Sequence, residues 1–174
     1  MRRLSLNARL MQDAEVPDDI YVVLFEFTHP DLDAPIRLST DNTERLSTDP
    51  LYYGTRSIWR GADPDQEPYL WVIASALLPS DMEDAPAEGT IVLESLDDRI
   101  TKILRSFTDP ASVSMGVVLA SSPDQIEQEW SGMNLTSANI GIGEITLSFS
   151  REEIELEYFP SGRMSRDRFP GLHL

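Results

Sequence analysis

The chain of 174 residues contains no cysteine. That single absence excludes disulfides, thiolate nucleophiles, iron–sulfur clusters and cysteine-based zinc sites, so stability must come from burial or from partners. Histidine is almost as scarce. His29 stands beside Pro30 and His173 is penultimate, so a Ser-His-Asp arrangement would rest on His29 alone. No Gly-x-Ser-x-Gly elbow is present, and Ser121-Ser122 reads as a turn. Positive charge is in short supply: 14 Lys+Arg face 30 Asp+Glu, for a net charge of −16. Such a balance repels phosphate backbones and anionic lipid, which argues against sequence-specific nucleic-acid binding and against docking on membranes. Long apolar runs are missing too. The longest, Leu70 to Leu78, is strand-sized and far short of the roughly 20 residues of a membrane helix. Asn7, Arg9, Gln12 and Asp13 interrupt any apolar run after Met1-Arg2-Arg3, so no signal-peptide core is read and a soluble, non-exported chain is expected.

What is present is ordinary globular composition, 41% hydrophobic and 25% charged, in a length that suits one domain. Residues 4–13 set Leu4, Ala8 and Met11 at helical spacing behind a capping Ser5, which predicts a short amphipathic helix. Ile20 to Phe27 is β-branched and aromatic and predicts a strand that ends before Pro30, with 35–40 as its hairpin partner. From Asp41 to Asp65 the polar chain with scattered aromatics predicts short strands or an ordered loop. Residues 69–78 predict a strand, 79–89 an acidic mobile loop, and 90–94 another strand. Ile100, Ile103, Leu104 and Phe107 follow the i, i+3, i+4, i+7 template of a helix with one buried stripe, capped by Asp97 and Asp98 and ended by Pro110. Strands follow at 113–119, 126–130, 134–140 and 145–149, with turns at Ser121-Ser122-Pro123-Asp124 and Gly141-Ile142-Gly143. No repeat of 20–50 residues occurs. The order predicts a mainly β (α+β) fold, an antiparallel β-sandwich or small split barrel with one packed helix over residues 1–158, followed by an extended C-terminal arm at 159–174.

Candidate chemistry is sparse. Carboxylate pairs at Asp31/Asp33, Asp63/Asp65, Asp81/Glu83/Asp84 and Asp97/Asp98 are what thirty acids place together by chance, and none has EF-hand spacing. Gly141-Ile142-Gly143 lacks the third glycine of a dinucleotide fingerprint and leads to a strand. Asn134-Leu135-Thr136 matches a glycosylation sequon but reads as a strand edge. Trp59, Trp71 and Trp130 with Tyr52, Tyr53 and Tyr69 suit a core or a subunit contact better than a ligand platform. Accordingly no catalytic, cofactor-binding or metal-binding residue is assigned.

The most unusual segment is 159–174. Phe159-Pro160 and Phe169-Pro170, with Gly162, Gly171 and Arg163, Arg166 and Arg168, cannot form a regular element, yet Phe159, Met164, Phe169, Leu172 and Leu174 need burial. An ordered arm is expected, folded on its own domain or laid across a neighbour whose acidic surface suits the arginines. Phe159, Pro160, Arg163, Met164, Phe169, Pro170 and Leu172 are the candidate assembly residues.

The ending Tyr158-Phe159-Pro160-Ser161-Gly162-Arg163-Met164 … Phe169-Pro170-Gly171-Leu172 accompanies two earlier motifs, His29-Pro30-Asp31-Leu32 … Pro35-Ile36-Arg37 and Val117-Val118-Leu119-Ala120-Ser121-Ser122-Pro123-Asp124. Together they resemble a siphophage-like family of tailed-phage proteins, known largely as a domain of unknown function and encoded among tail genes near the tape measure. The resemblance runs the length of the chain. It differs in the insertion-like Asp41–Asp65 region and at Met164, where a larger aromatic is common. It implies a non-enzymatic virion protein of the tail tip or baseplate, a distal tail or hub-associated ring component made in the host cytoplasm. The implied fold is of the tail-tube type, two packed antiparallel sheets with a flanking helix. Implied partners are copies of itself in a ring of three or six, the tail tube, the tape measure and the hub; no cofactor is implied. The competing expectation is a β-sandwich that binds a small ligand or carbohydrate through Tyr52, Tyr53 and Trp59. A carboxylate-dependent hydrolase is a third.

Overall fold

A computed structural model describes residues 4–79, 88–94, 110–141 and 143–151, together with Arg168 and Gly171. The described chain is mainly β. Helix α1 spans Leu6–Asp13, as its spacing predicts, and the Ser5 hydroxyl accepts the Ala8 amide at 3.1 Å in the capping role. The buried member of the helix is the small Ala8, whereas Leu6 and Leu10 are exposed. The Ser5 amide donates to Glu127 at 2.8 Å and so ties the helix to the sheet.

Ten strands follow: β1 Tyr21–Thr28, β2 Ile36–Ser39, β3 Glu44–Thr48, β4 Leu51–Thr55, β5 Tyr69–Trp71, β6 Ile73–Leu77, β7 Glu88–Glu94, β8 Ser112–Leu119, β9 Ser122–Ile140 and β10 Ile145–Arg151. They form one sheet in the order β3-β4-β5-β2-β1-β8-β9-β10-β7-β6. All pairings are antiparallel except β2 with β5, where Leu38 faces Leu70 and Ser39 faces Trp71 in parallel register. The early hairpin β1–β2 forms as expected. The expectation of a wholly antiparallel sheet is corrected by that one pairing, because a long excursion through β3 and β4 lets the chain return in the same direction.

Three other expectations change. The single strand predicted over 69–78 is divided at Val72 into β5, third strand from one end of the sheet, and β6, which forms the other end. Since Trp71 and Ile73 are only two residues apart, strands distant in the sheet order must approach there, and the sheet curls into a half-barrel. The Val72 amide donates to the Ser39 carbonyl at 2.9 Å and prolongs the seam. The two strands expected at 126–130 and 134–140 are one 19-residue strand, β9, in which register shifts against β8 and β10 and the left-handed Gly132 (φ 67°) take up the bend. Its start at Ser122 moves the predicted turn back to Ala120-Ser121. The polar 41–65 region resolves into β3, β4 and a 3-10 turn at Trp59–Gly61. Most of the acidic 79–89 loop and the helix predicted from Asp97 to Pro110 lie outside the described residues.

Strand β1 is apolar on both faces because both are covered. Its Phe25 and Phe27 join Met115, Trp130, Leu93 and Phe149 in the main core inside the curl. Its Val22 and Leu24 join Trp59, Ala62, Tyr69 and Val118 in a second core on the outer face, under the segment that follows β4. Each fully buried large side chain of this kind contributes about 1.5–3 kcal/mol by leaving water. Two glycines permit the closest contacts. A Cβ at Gly116 would sit 3.1 Å from the Trp59 ring, and one at Gly89 would lie 2.3 Å from the Phe149 ring.

Candidate functional site

Glu26 is the only charged residue of β1 and is 4% exposed, on the same face as Val22 and Leu24. Charge at such a depth needs partners. Arg37 stands opposite it in the β1–β2 register and donates Nε to Oε2 at 3.1 Å. Arg60 donates Nε to Oε1 at 3.1 Å from the 3-10 turn. Arg60 itself adopts the left-handed conformation (φ 57°, ψ 25°), uncommon for a residue with a Cβ, and that bend directs the turn back onto the sheet. Arg37 also donates Nη1 to Glu67 at 2.5 Å, while the Trp59 indole donates to Glu129 at 3.3 Å. Tyr69, whose ring centroid lies 5.8 Å from that of Trp59, donates its hydroxyl to the Trp59 carbonyl at 2.8 Å.

Protonation follows from this packing. Burial pushes the Tyr69 phenol up and the Glu26 carboxylate adds to the push, so Tyr69 stays a neutral donor. Burial works against the charge of Arg37, but the hydrogen bond to Glu67 and the Glu26 charge outweigh it and hold the guanidinium above its ordinary range. Both oxygens of Glu26 already accept from arginine, which leaves the carboxylate poorly placed to abstract a proton from a substrate. The cluster is an ionic clamp that fastens the Trp59 segment over β1 and β8.

Other polar groups have local structural tasks. His29 Nδ1 accepts the Asp31 amide at 3.1 Å, and the Leu32 amide donates to the His29 carbonyl at 3.0 Å, so the imidazole braces the turn after β1. Asp41 accepts the Thr43 amide and hydroxyl, and Asp63 accepts the Asp65 amide, each closing a short turn. The carboxylate of Asp19 accepts the Ser121 hydroxyl at 2.5 Å and the Ile20 amide at 2.9 Å. Among the described residues no group of three or more His, Asp or Glu side chains is placed to hold a metal ion. Among them also, no helix is long and apolar enough to cross a membrane.

The aromatic trio Tyr52, Tyr53 and Trp59 does not gather into one platform. Trp59 is 6% exposed and sealed against Tyr69 and Gly116, whereas Tyr52 is exposed and Tyr53 half-buried on β4. Trp130 is a core residue and Trp71 is exposed beside the seam. The candidate assembly residues Phe159, Pro160, Arg163, Met164, Phe169, Pro170 and Leu172 lie outside the described residues, as do His173 and most of the arm.

Two features escaped sequence reasoning. A lone Glu26 inside an apolar strand, followed by Arg37 and by the Trp59-Arg60-Gly61 turn, is the visible trace of the clamp, but only the tertiary register joins them. The second is the contrast between the terminal strands of the sheet. β3 carries Glu44, Arg45 and a bulge, devices that discourage unplanned pairing, whereas β6 reads Ile73-Ala74-Ser75-Ala76-Leu77 without a charge.

No protein-family model matches the chain, and no curated protein matches it.

Proposed function

We propose that this chain is a non-enzymatic structural component of the tail tip or baseplate of a long-tailed phage, a distal tail or hub-associated ring protein. It assembles with copies of itself and with neighbouring tail proteins below the tail tube. The observation that carries this reading is the open curled sheet with large apolar side chains on solvent at its ends, Leu51 and Tyr52 on one side and Ile73 and Leu77 on the other. Surfaces of that kind mark association sites in soluble proteins. The tying up of Glu26, Arg37 and Arg60 in a clamp adds support, since this buried ionic cluster of the described residues serves packing rather than turnover. The resemblance in the segment 159–174 and the acidic balance, which lets DNA pass a lumen without adhering, point the same way.

In this mechanism the curled sheets stand side by side in a ring of three or six and the arm 159–174 latches an adjacent subunit. The test is the native mass of the full chain, alone and mixed with the products of neighbouring tail genes, compared with a chain lacking 159–174. A discrete ring or a complex with a tail protein, lost on truncation, is expected. A full chain that stays monomeric and ignores those neighbours overturns the proposal, and rings that persist without the arm overturn the latch.

A further inference from the structure

We infer that β6 is a self-complementary edge through which two copies of this chain pair antiparallel, continuing the sheet of one subunit into the next. The inference rests on the self-assembly part of the reading above and adds to it a two-fold contact between copies, distinct from the head-to-tail contacts that close a ring of three or six. In the described structure β6 is hydrogen-bonded to β7 on one side and ends the sheet on the other. An edge strand carries a row of unpaired amides and carbonyls, and proteins that must stay apart blunt such edges with charge, proline or bulges. None of these occurs within Ile73–Leu77. The side chains that point inward, Ala74 and Ala76, pack on the main core; those that point outward include Ile73 and Leu77, 50% and 71% exposed.

The sequence of the strand fits a second copy of itself. Ile73-Ala74-Ser75-Ala76-Leu77 is nearly palindromic about Ser75. In antiparallel pairing centred there, Ser75 meets its own copy, each alanine meets an alanine, and Ile73 of either chain meets Leu77 of the other. A two-fold contact requires this kind of self-match. Charge supports the same occupant. Copies carrying a net charge of −16 repel one another, so they associate where that charge is sparse. The centre of the outer face beside β6 presents the neutral Thr90, Val92, Thr146 and Ser148, and the carboxylates of that face, Glu88 and Glu94, stand at the two ends of β7, Glu94 opposite Ile73. One short strand pair makes a small interface, so the contact is transient in free subunits and gains strength where assembly holds copies close.

The absence of native cysteine makes the register directly testable in the full chain. In the proposed pairing the two Ser75 Cα atoms stand about 4.5–5.5 Å apart, within disulfide range. Two Ile73 residues are displaced by four positions, about 13 Å along the strand. Under mild oxidation with diamide, Ser75→Cys is expected to form a covalent dimer at least about tenfold faster than the exposed control Gln125→Cys, since only the former is held in disulfide geometry. Ile73→Cys and Leu77→Cys should each fail alone and cross-link when mixed. Ser75→Lys, with an unchanged circular dichroism spectrum, should abolish the dimer seen at high concentration by light scattering. Cross-linking of Ser75→Cys no faster than the control, or equal rates at positions 73, 75 and 77, overturns the inference. If rings form with tail proteins and Ser75→Cys does not cross-link, the β6 edge fails and the tail reading stands. If the selective cross-link forms while the chain ignores every tail protein, the reverse holds.

Discussion

Removing the Glu26 carboxylate isolates the ionic clamp. In Glu26→Ala, Arg37 loses the acceptor of its Nε while its side chain, 8% exposed, cannot turn to water. Arg37 keeps Glu67, but that carboxylate is 46% exposed, so the surviving pair is screened and replaces little of what is lost. Arg60 is 39% exposed and can rehydrate, which makes its share small. The loss is therefore the cost of one stranded buried cation, about 3 kcal/mol, at the low end for broken buried pairs. For a chain of this size that corresponds to a Tm lowered by about 6–12 °C, read by differential scanning calorimetry. Glu26→Gln should fall between the variant and the wild type, because its amide presents N–H groups to one of the two guanidinium donors. The double variant Glu26→Leu/Arg37→Met removes both buried charges and should recover to within about 1 kcal/mol of the wild type, since apolar replacement of a buried pair is often neutral. A loss below about 1 kcal/mol in Glu26→Ala would place the cluster in the range of solvent-exposed pairs. A double variant as unstable as the single one would mean that backbone register, not stranded charge, sets the cost. Either result refutes the reasoning.

Trp59→Ala should cost about 3–5 kcal/mol in urea denaturation, because its ring fills the space over Gly116 and beside Tyr69, whereas exposed Tyr52→Ala should stay within about 0.5 kcal/mol. Equal effects would return Trp59 to a surface role. Asp19 supplies the pH dependence. Burial opposes its charge, but hydrogen bonds from the Ser121 side chain and from the Ile20, Ser121 and Ala120 amides prevail and hold it below its ordinary value of 3.8. Its contribution is therefore complete above that value and lost as the pH falls through the lowered one. The stability gap between wild type and Asp19→Asn should be constant near neutrality and shrink below pH 3.8, and a gap independent of pH would refute the assignment.

By itself the sequence determined the elements whose physics is local. Ser5 ahead of an apolar period marks α1; β-branched runs mark β1, β8 and β10; glycine and proline mark most of the turns. The mainly β class and the core roles of Trp130 and Tyr69 followed from composition and alternation. What only the tertiary structure decided depends on contacts between residues far apart in the chain. Residues 69–77 look like one strand locally, yet pairing with β2 on one side of Val72 and with β7 on the other divides them there and curls the sheet. Trp59 reads as a core or subunit-contact aromatic from its type, but only the fold shows that Gly116, 57 positions away, provides the space that buries it. Glu26 and Arg37 become partners through β1–β2 register, and Arg60 joins them through a left-handed backbone that propensity disfavours and the buried carboxylate compensates. Likewise the uncharged composition of Ile73–Leu77 was always legible, but its exposure at the end of a sheet is a property of strand order, which one-dimensional periodicity does not encode.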